Sequence, residues 1–284
     1  MEEEFHNHMR IPWHDYTRKS LGHPITEASL SEKASIIGRT GIMLLSCGTG
    51  AWRVRSSMNT LARELGITCT ADIGLLSIEY TCIDGGDCYT ESLCLFNTGV
   101  NTSKLYRMEL FVNKFATNCK KMSGDELHTL LDHIHEIHGF YSPPFLGLAA
   151  AVACCAFTFL LGGGPTEMFC AFLGAGAGNY LRAKMNQHHL TLFLCTAASV
   201  ALACVVYTIS FMALKSGFDV SIHHQAGYIC SMLFIIPGFP FITSGIDLAK
   251  LDMRSGMERL TYAIIIIAVA TLTAWMLALV LHLK

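Results

Sequence analysis

The chain has 284 residues, of which 52% are hydrophobic and only 15% are charged, and its formal net charge is −2. Residues 1–143 carry 30 of the 42 Lys, Arg, Asp and Glu residues, and the other 141 carry 12. This asymmetry predicts a soluble N-terminal domain followed by a polytopic helical membrane domain, gives no indication of a nucleic-acid partner, and narrows the function to a transporter, a channel or a membrane-bound enzyme.

The first part of the chain predicts a polar leader over residues 1–29, which we expect to be flexible, and a cytoplasmic α+β domain over residues 30–143. Its predicted helices begin after short polar or glycine-containing segments, with Ser31 as the cap of the first, and cover residues 31–47, 51–65, 103–119 and 123–138. Two strands are predicted over residues 67–82 and 89–97, with a turn at Asp84-Gly85-Gly86-Asp87.

Two features of this domain suggest a ligand. His128, Asp132 and His135 share one face of the last predicted helix, an arrangement that can bind Zn²⁺ or another transition metal. Solvated histidines are the alternative, and because no fixed-spacing ligand motif is present we expect no metal. Gly48-Thr49-Gly50 precedes a helix and could cradle an anion. It lacks the Lys and Ser/Thr of a phosphate-binding loop, so we expect a corner between two helices.

The second part, residues 144–284, predicts a membrane domain with five spans. A spanning helix needs about 20 apolar residues. The five apolar stretches cover residues 145–161, 165–181, 190–214, 227–246 and 260–281. The second is the weakest because it contains Glu167 and three glycines, and a buried helix of a soluble protein is its alternative.

The basic residues between the spans predict the orientation. Arg182 and Lys184 follow the second span, and Lys250, Arg254 and Arg259 follow the fourth. Because positive charge marks the cytoplasmic side of a membrane protein, we expect the N-terminus in the cytoplasm and the C-terminus outside.

The fourth span contains a helix break. Pro237, Gly238 and Pro240 interrupt it, and a broken helix at membrane depth is tolerated where it lines a cavity or is buried in protein. In secondary transporters such breaks direct a helix N-terminus toward an anionic substrate. We expect free amides from about Phe241 onward to contact a carboxylate, with hydroxyl contacts from Thr243 and Ser244. The alternative is a kink that serves packing only.

Two acidic residues are candidates for ion coupling. Glu167 lies at the start of the second span, and Asp247 follows the break. Ionisable groups inside a membrane are costly and usually functional, although groups at span ends are readily solvated. We expect proton coupling through one of them.

Two motifs carry a family resemblance. The first is Ser46-Cys47-Gly48-Thr49-Gly50-Ala51-Trp52-Arg53-Val54, followed by Met58, Ala62, Arg63 and Gly66. The second is Pro237-Gly238-Phe239-Pro240 with Gly245-Ile246-Asp247-Leu248, then Gly256, Arg259 and Leu260. Together, over roughly residues 30–284, they resemble the threonine/serine exporter family. The chain departs from the family at Arg55-Ser56, where members commonly carry an acidic pair.

The resemblance implies an exporter subunit of the bacterial inner membrane rather than an enzyme. It implies threonine, serine or a dicarboxylate such as succinate as the substrate, and a smaller membrane subunit of the same family as the partner. A homo-oligomer is the alternative assembly. Arg53 matches the family's arginine, and because a cation near a helix N-terminus is electrostatically disfavoured, we expect it to face an acid of the membrane domain or the substrate.

The sequence is compatible with two other classes of function. No nucleotide-binding loop is present, so we expect an ion gradient to drive transport, and we expect no cofactor. A membrane-bound hydrolase is one alternative, although the sequence has neither a nucleophile elbow with a Ser-His-Asp order nor a His-Glu-x-x-His motif. A regulatory or accessory subunit of a transporter is the other.

Overall fold

The computed structural model describes residues 11–17, 22–137, 141–188, 190–215 and 225–281. The chain divides into two compact units. Unit 1 comprises Met1–Gly139 and Phe239–Thr261, and unit 2 comprises Phe140–Gly238 and Tyr262–Lys284. The first division lies four residues before the boundary predicted at 143. Phe239–Thr261, which the sequence analysis placed in the membrane domain, groups with unit 1.

Unit 1 begins with two helices, α1 (Leu30–Ser46) and α2 (Ala51–Glu64). The cap of α1 is Ser29 and not Ser31, because the Ser29 hydroxyl accepts the amide of Glu32 at 3.4 Å. α1 is buried along most of its length, and α2 buries one stripe that includes Val54, Met58 and Leu61, as its periodicity predicts.

Three antiparallel strands follow, β1 (Thr68–Ile73), β2 (Ser77–Asp84) and β3 (Asp87–Cys94), in the order β1-β2-β3. The prediction of one strand over residues 67–82 is wrong. A tight turn divides that segment, and the Gly74 amide donates to the Ser77 carbonyl at 2.8 Å. The predicted turn between β2 and β3 is confirmed, with positive φ at Gly85 and Gly86.

The helices α3 (Thr102–Lys114) and α4 (Gly124–His135) complete this part of unit 1, and a π-helical segment, Phe115–Cys119, extends α3. The start of α4 is confirmed, because Ser123 and Glu126 form a reciprocal capping box.

The described part of the leader is folded onto unit 1. Two 3-10 segments, Trp13–Thr17 and Ile25–Glu27, form there, and the side chain of Ile25 is fully buried. These two segments of the leader thus pack on unit 1, with Ile25 in its core and Trp13 against it. Residues 1–10 and 18–21 lie outside the described residues.

The remaining helices are α5 (Pro143–Leu160), α6 (Pro165–Gln187), α7 (Leu192–Lys215), α8 (Gln225–Cys230), α9 (Gly238–Ala249) and α10 (Met253–Val280). Among the described residues, α5, α7 and α10 are long and apolar enough to cross a membrane. A fourth candidate is a bent pair, residues 225–235 with α9, which forms either a broken span or a re-entrant loop. The structure thus supports a multi-pass membrane protein with three or four candidate spans, and α6 is not among them.

The glycines of α6 allow close helix packing within unit 2. A Cβ atom at Gly174 would lie 2.7 Å from the Ala203 carbonyl oxygen of α7, and one at Gly178 would lie 2.7 Å from that of Ser199. The glycine face of α6 is therefore covered by α7.

Candidate functional site

The structure divides the predicted site residues between the units. Asp247, Thr243 and Ser244 lie on α9 in unit 1, and Glu167 lies on α6 in unit 2. We describe the two groups separately, beginning with Asp247.

Asp247 is a fully buried carboxylate that accepts hydrogen bonds from the start of α2. Its Oδ2 accepts the Ala51 amide at 3.0 Å, and its Oδ1 accepts the Trp52 amide at 3.4 Å. The first amides of a helix have no partner inside the helix and attract an anion. The glycine corner thus does bind an anion, and that anion is a side chain of the same chain.

Arg259 is hydrogen-bonded to the backbone carbonyl groups of this corner. Its guanidinium is 2% exposed and donates to the carbonyl oxygens of Gly48 and Thr49, at 3.1 and 2.8 Å. Its Nε lies 3.3 Å from Asp247 Oδ2, and the Ser255 hydroxyl donates to the same oxygen at 2.9 Å. The ion pair is therefore buried and fully hydrogen-bonded, which is the condition under which such a pair is tolerated in a protein interior.

Gly50 is required by the approach of this carboxylate. A Cβ atom at Gly50 would lie 2.8 Å from Asp247 Oδ1, well inside van der Waals contact. The two sequence motifs, about 200 residues apart, are therefore parts of one hydrogen-bonded junction. We call Gly48–Trp52 with Asp247, Ser255 and Arg259 the acid–arginine junction.

Further ion pairs fix the start of α10 on the rest of unit 1. Arg55 pairs with Asp252, Arg254 pairs with Asp72, and the Glu258 carboxylate accepts the Leu75 amide at 2.6 Å. Arg55 occupies the position at which the family commonly has an acid, and here it takes an acidic partner from the α9–α10 turn.

Thr243 and Ser244 use their hydroxyl groups within unit 1. The Thr243 hydroxyl donates to the carbonyl oxygens of Phe239 and Pro240, at 3.0 and 3.2 Å. The Ser244 hydroxyl donates to the Gly256 carbonyl oxygen at 2.8 Å. Both side chains are buried on the same face of α9 as Asp247.

Arg53 has a partner that the sequence analysis did not name. Its guanidinium lies 2.8 Å from the Glu109 carboxylate of α3, and both side chains are more than one-third exposed. Exposed pairs of this kind contribute about 0–1 kcal/mol to stability. Arg53 thus pairs with an acid of α3 in unit 1, whereas the sequence analysis expected an acid of the membrane domain or the substrate.

The helix break lies where the sequence predicts it, but α9 begins earlier than expected. Ile236 is extended, as a residue before proline prefers, and α9 starts at Gly238 and not near Phe241. Pro240 therefore lies in the first turn of α9, where its missing amide hydrogen costs no hydrogen bond of the helix interior.

Glu167 is a buried carboxylate of unit 2, only 4% exposed. Its Oε2 accepts the Gly164 amide at 3.2 Å, which caps the start of α6. A Cβ atom at Gly227 of α8 would lie 3.0 Å from the Glu167 Cβ and 2.6 Å from the Tyr207 hydroxyl. Glu167 thus packs against the first limb of the broken helix, in the small space that Gly227 leaves.

The histidine cluster of α4 forms a hydrogen-bond network. Ser35 donates to the Glu32 carbonyl, so its oxygen accepts the Nε2–H of His128 at 3.1 Å, while His128 Nδ1 accepts from Arg39 at 3.2 Å. His128 is therefore neutral, and burial lowers its pKa to about 3.

His14, from the leader, has the opposite protonation state. Its two ring nitrogens contact the carboxylates of Asp125 and Asp132 at 2.6 and 2.8 Å. Carboxylates only accept, so both nitrogens carry protons, and these hydrogen bonds raise the pKa of His14. In the described part of the chain, no group of three or more His, Cys, Asp or Glu could hold a metal ion, and His135 contacts the Lys104 ammonium instead.

Sequence reasoning placed Arg182 and Arg259 in the connections between spans, whereas the structure places both in helices. Arg259 is buried in the acid–arginine junction, and Arg182 lies inside α6, which continues to Gln187. Arg182 is flanked by apolar residues, which could have indicated its place in a helix, but Arg259 follows Glu258 and carries no such signal.

Comparisons with known proteins agree with the two motifs. Residues 35–282 match the family model ThrE, whose description is "Putative threonine/serine exporter". A protein of Escherichia coli (strain K12) named "Probable succinate transporter subunit YjjP" is 26% identical over 245 residues, which cover 83% of this chain and 91% of that protein.

A second relative comes from Klebsiella aerogenes and bears the same name. It is 24% identical over 244 residues, which cover 82% of this chain and 90% of that protein. No solved structure matches the chain.

Proposed function

The chain belongs to the threonine/serine exporter family, and on this premise we propose that it is the larger subunit of a secondary exporter that moves small carboxylate-bearing metabolites out of the cytoplasm. It is a non-enzymatic transporter subunit of the membrane. The proposed substrates are threonine and serine, from the family's description, or a dicarboxylate such as succinate, from the relatives' names.

The observation that carries the proposal is the buried Glu167 against the first limb of the broken helix. Transporters place substrate and coupling-ion sites at discontinuous helices. An acid buried among membrane helices is costly unless it has a function, and it commonly forms part of a proton pathway. Glu167 is buried, and Gly227 of α8, in the first limb of the discontinuous helix, packs against it.

We assign proton coupling to Glu167 and a structural role to Asp247. Asp247 is held by two amides, a hydroxyl and Arg259, so each of its oxygens already has a partner. Among the described residues, only one oxygen of Glu167 accepts a hydrogen bond, from the Gly164 amide. Its second oxygen is the better candidate to exchange a proton.

The proposed assembly and topology follow the sequence analysis. The chain acts with the smaller membrane subunit of the family, which the word "subunit" in the relatives' name supports, or as a homo-oligomer. It crosses the bacterial inner membrane five times, with α6 and the broken pair as its second and fourth spans, its N-terminus in the cytoplasm and its C-terminus outside.

Export from proteoliposomes tests the function. The larger chain and the smaller subunit, purified together, should move labelled succinate or threonine under a proton gradient, and empty liposomes should not. The proposal is wrong if neither substrate moves.

Glu167→Gln tests the coupling. The Gln oxygen still accepts the Gly164 amide, so α6 remains capped, but the side chain no longer carries a proton. We expect uphill export to fall at least tenfold while substrate exchange without a gradient persists. Glu109→Gln, at an exposed acid of unit 1, is the control and should keep both activities.

A further inference from the structure

We propose that Arg182 binds a carboxylate of the transported substrate at the helix break of unit 2. Its guanidinium donates to the Phe234 carbonyl oxygen at 3.3 Å. Phe234 lies in the 3-10 turn Leu233–Ile235, directly before the break. This inference rests on the proposed function and names the residue that would recognise the anion.

Arg182 has no anionic partner among the residues that the structure describes. The arginines that form ion pairs there all take carboxylates of unit 1. A guanidinium has five N–H donors, and one carbonyl oxygen leaves most of them unused. A partly buried cation with free donors is costly unless an anion completes it.

The described part of unit 2 has no acid near Arg182. Glu167 is its only acid within the described residues, and it lies at the other end of α6. Fifteen residues separate the two, or roughly 22 Å along the helix axis at 1.5 Å per residue. Glu167 therefore cannot neutralise Arg182, and α6 carries a cation at one end and a buried acid at the other.

The geometry of the Arg182 guanidinium suits a carboxylate. Its Nη1 donates to the Phe234 carbonyl oxygen, and among the described residues this side chain makes no other hydrogen bond. A planar guanidinium with free donors binds a carboxylate through two parallel N–H···O bonds.

The packing at this point is tight and fixes the arginine. A Cβ atom at Gly178, one turn before Arg182, would lie 2.8 Å from the Phe234 ring and 2.7 Å from the Ser199 carbonyl oxygen. Phe234 and Tyr262 both pack against the cluster around Val200 and Ile235. In the proposed orientation Arg182 lies toward the cytoplasmic side, where an exporter takes up its substrate.

Arginine modification tests the assignment without relying on transport. The purified protein, with its partner subunit where one is needed, is treated with phenylglyoxal, and the modification of Arg182 is followed by mass spectrometry of peptides. Succinate or threonine at millimolar concentration should slow the modification of Arg182 at least fivefold, and glycerol should not. Equal rates with and without both carboxylates would overturn the assignment.

Transport kinetics of variants separate this role from a topological one. Arg182→Lys keeps the positive charge that orients the span but loses the bidentate fork. We expect it to keep its orientation and to raise KM about tenfold, and Arg182→Gln to raise KM about ten- to a hundredfold, as for loss of a charge-assisted hydrogen bond.

Lys184→Gln is the matched control, because Lys184 is an exposed cation two residues further along α6. Its KM should be unchanged. If the wild-type protein moves neither substrate, the proposed function fails, whereas protection of Arg182 still decides the binding site. If the wild type transports and both Arg182 variants keep its KM, the function stands and the assignment of Arg182 is wrong.

Discussion

Asp247 and Arg259 illustrate how a motif residue gains its role from partners distant in sequence. The Asp247 carboxylate accepts the amides of Ala51 and Trp52 at the start of α2. The Arg259 guanidinium donates to the carbonyl oxygens of Gly48 and Thr49, just before that helix. Each charge would be buried and unpaired without the other. The cost of removing one partner should therefore far exceed that of an exposed pair.

The first prediction concerns this pair. Asp247→Asn should destabilise the protein by about 3–5 kcal/mol, because it leaves Arg259 buried without a counter-charge. Glu109→Gln, which breaks the exposed pair with Arg53, should cost less than about 1 kcal/mol. Thermal unfolding in one detergent, followed by loss of native tryptophan fluorescence, compares the two variants.

A double-mutant cycle isolates the coupling within the pair. Asp247→Asn combined with Arg259→Gln should be less destabilising than the sum of the two single changes. Additive effects would show that Asp247 and Arg259 act independently, and they would contradict the acid–arginine junction as a coupled unit.

At the residue scale, the sequence indicated some partners and could not indicate others. Asp247 was a candidate because it follows the break, and Arg53 because it matches a family motif. The partners of both, Arg259 and Glu109, depend on tertiary contacts that leave no local periodicity. His128 likewise lies on the helix face where the sequence suggests a metal ligand. Only its contacts with Ser35 and Arg39 show that it belongs to a hydrogen-bond network instead.

At the element scale, the break separates two helices with different environments. The two prolines predicted the position of the break correctly, because a proline restricts its own φ angle and the conformation of the residue before it. It did not predict that α9 starts at Gly238. Pro240 is compatible with a first helical turn, so the interruption rests on Pro237 and the extended Ile236.

The second prediction follows from this difference between the prolines. Pro237→Ala should permit a helix through Ile236 and reduce efflux at least tenfold, whereas Pro240→Ala should reduce it less than threefold. The double variant should still insert in the membrane. Pro143→Ala, at the start of α5, is a control at a helix start and should transport normally.

Membrane fractionation and efflux measured on the same cells check this prediction. Full efflux by Pro237→Ala would assign the break to packing alone. Equal losses for the two single variants would contradict the distinct role of Pro237.

At the scale of the whole molecule, local patterns predicted a mostly helical, multi-pass membrane protein and most element boundaries up to residue 137. The turn at Gly74 was missed because the Leu-Leu pair after it continues an apolar run without the usual turn residues. The membership of Phe239–Thr261 in unit 1 was not predictable at all. It depends on hydrogen bonds between residues about 200 positions apart. From the sequence alone, this apolar segment is equally compatible with the end of a membrane span.

That membership bears on the number of membrane crossings. The α9–α10 turn is hydrogen-bonded to the first part of unit 1 through Asp247 and Arg259, so we expect the turn to lie on the same side of the membrane as that part. The chain between Pro143 and the α9–α10 turn should then cross an even number of times. If α5 and α7 both cross, as their length and hydropathy indicate, α6 and the broken pair either both cross or neither crosses, and α10 adds one more crossing in each case.

The last prediction is that both cross. Arg182 and Lys184 near the end of α6 favour the cytoplasmic side for that end, by the excess of basic residues there. Reporter domains fused after Gln187 should therefore be cytoplasmic, and those fused after Lys215 or at Lys284 should be outside. A reporter that is external after Gln187 and cytoplasmic after Lys215 would establish three crossings and make the broken pair a re-entrant loop. The end of α10 is external in both arrangements, so a cytoplasmic reporter at Lys284 would show an even number of crossings and would contradict the expectation that the α9–α10 turn lies on the same side of the membrane as the first part of unit 1.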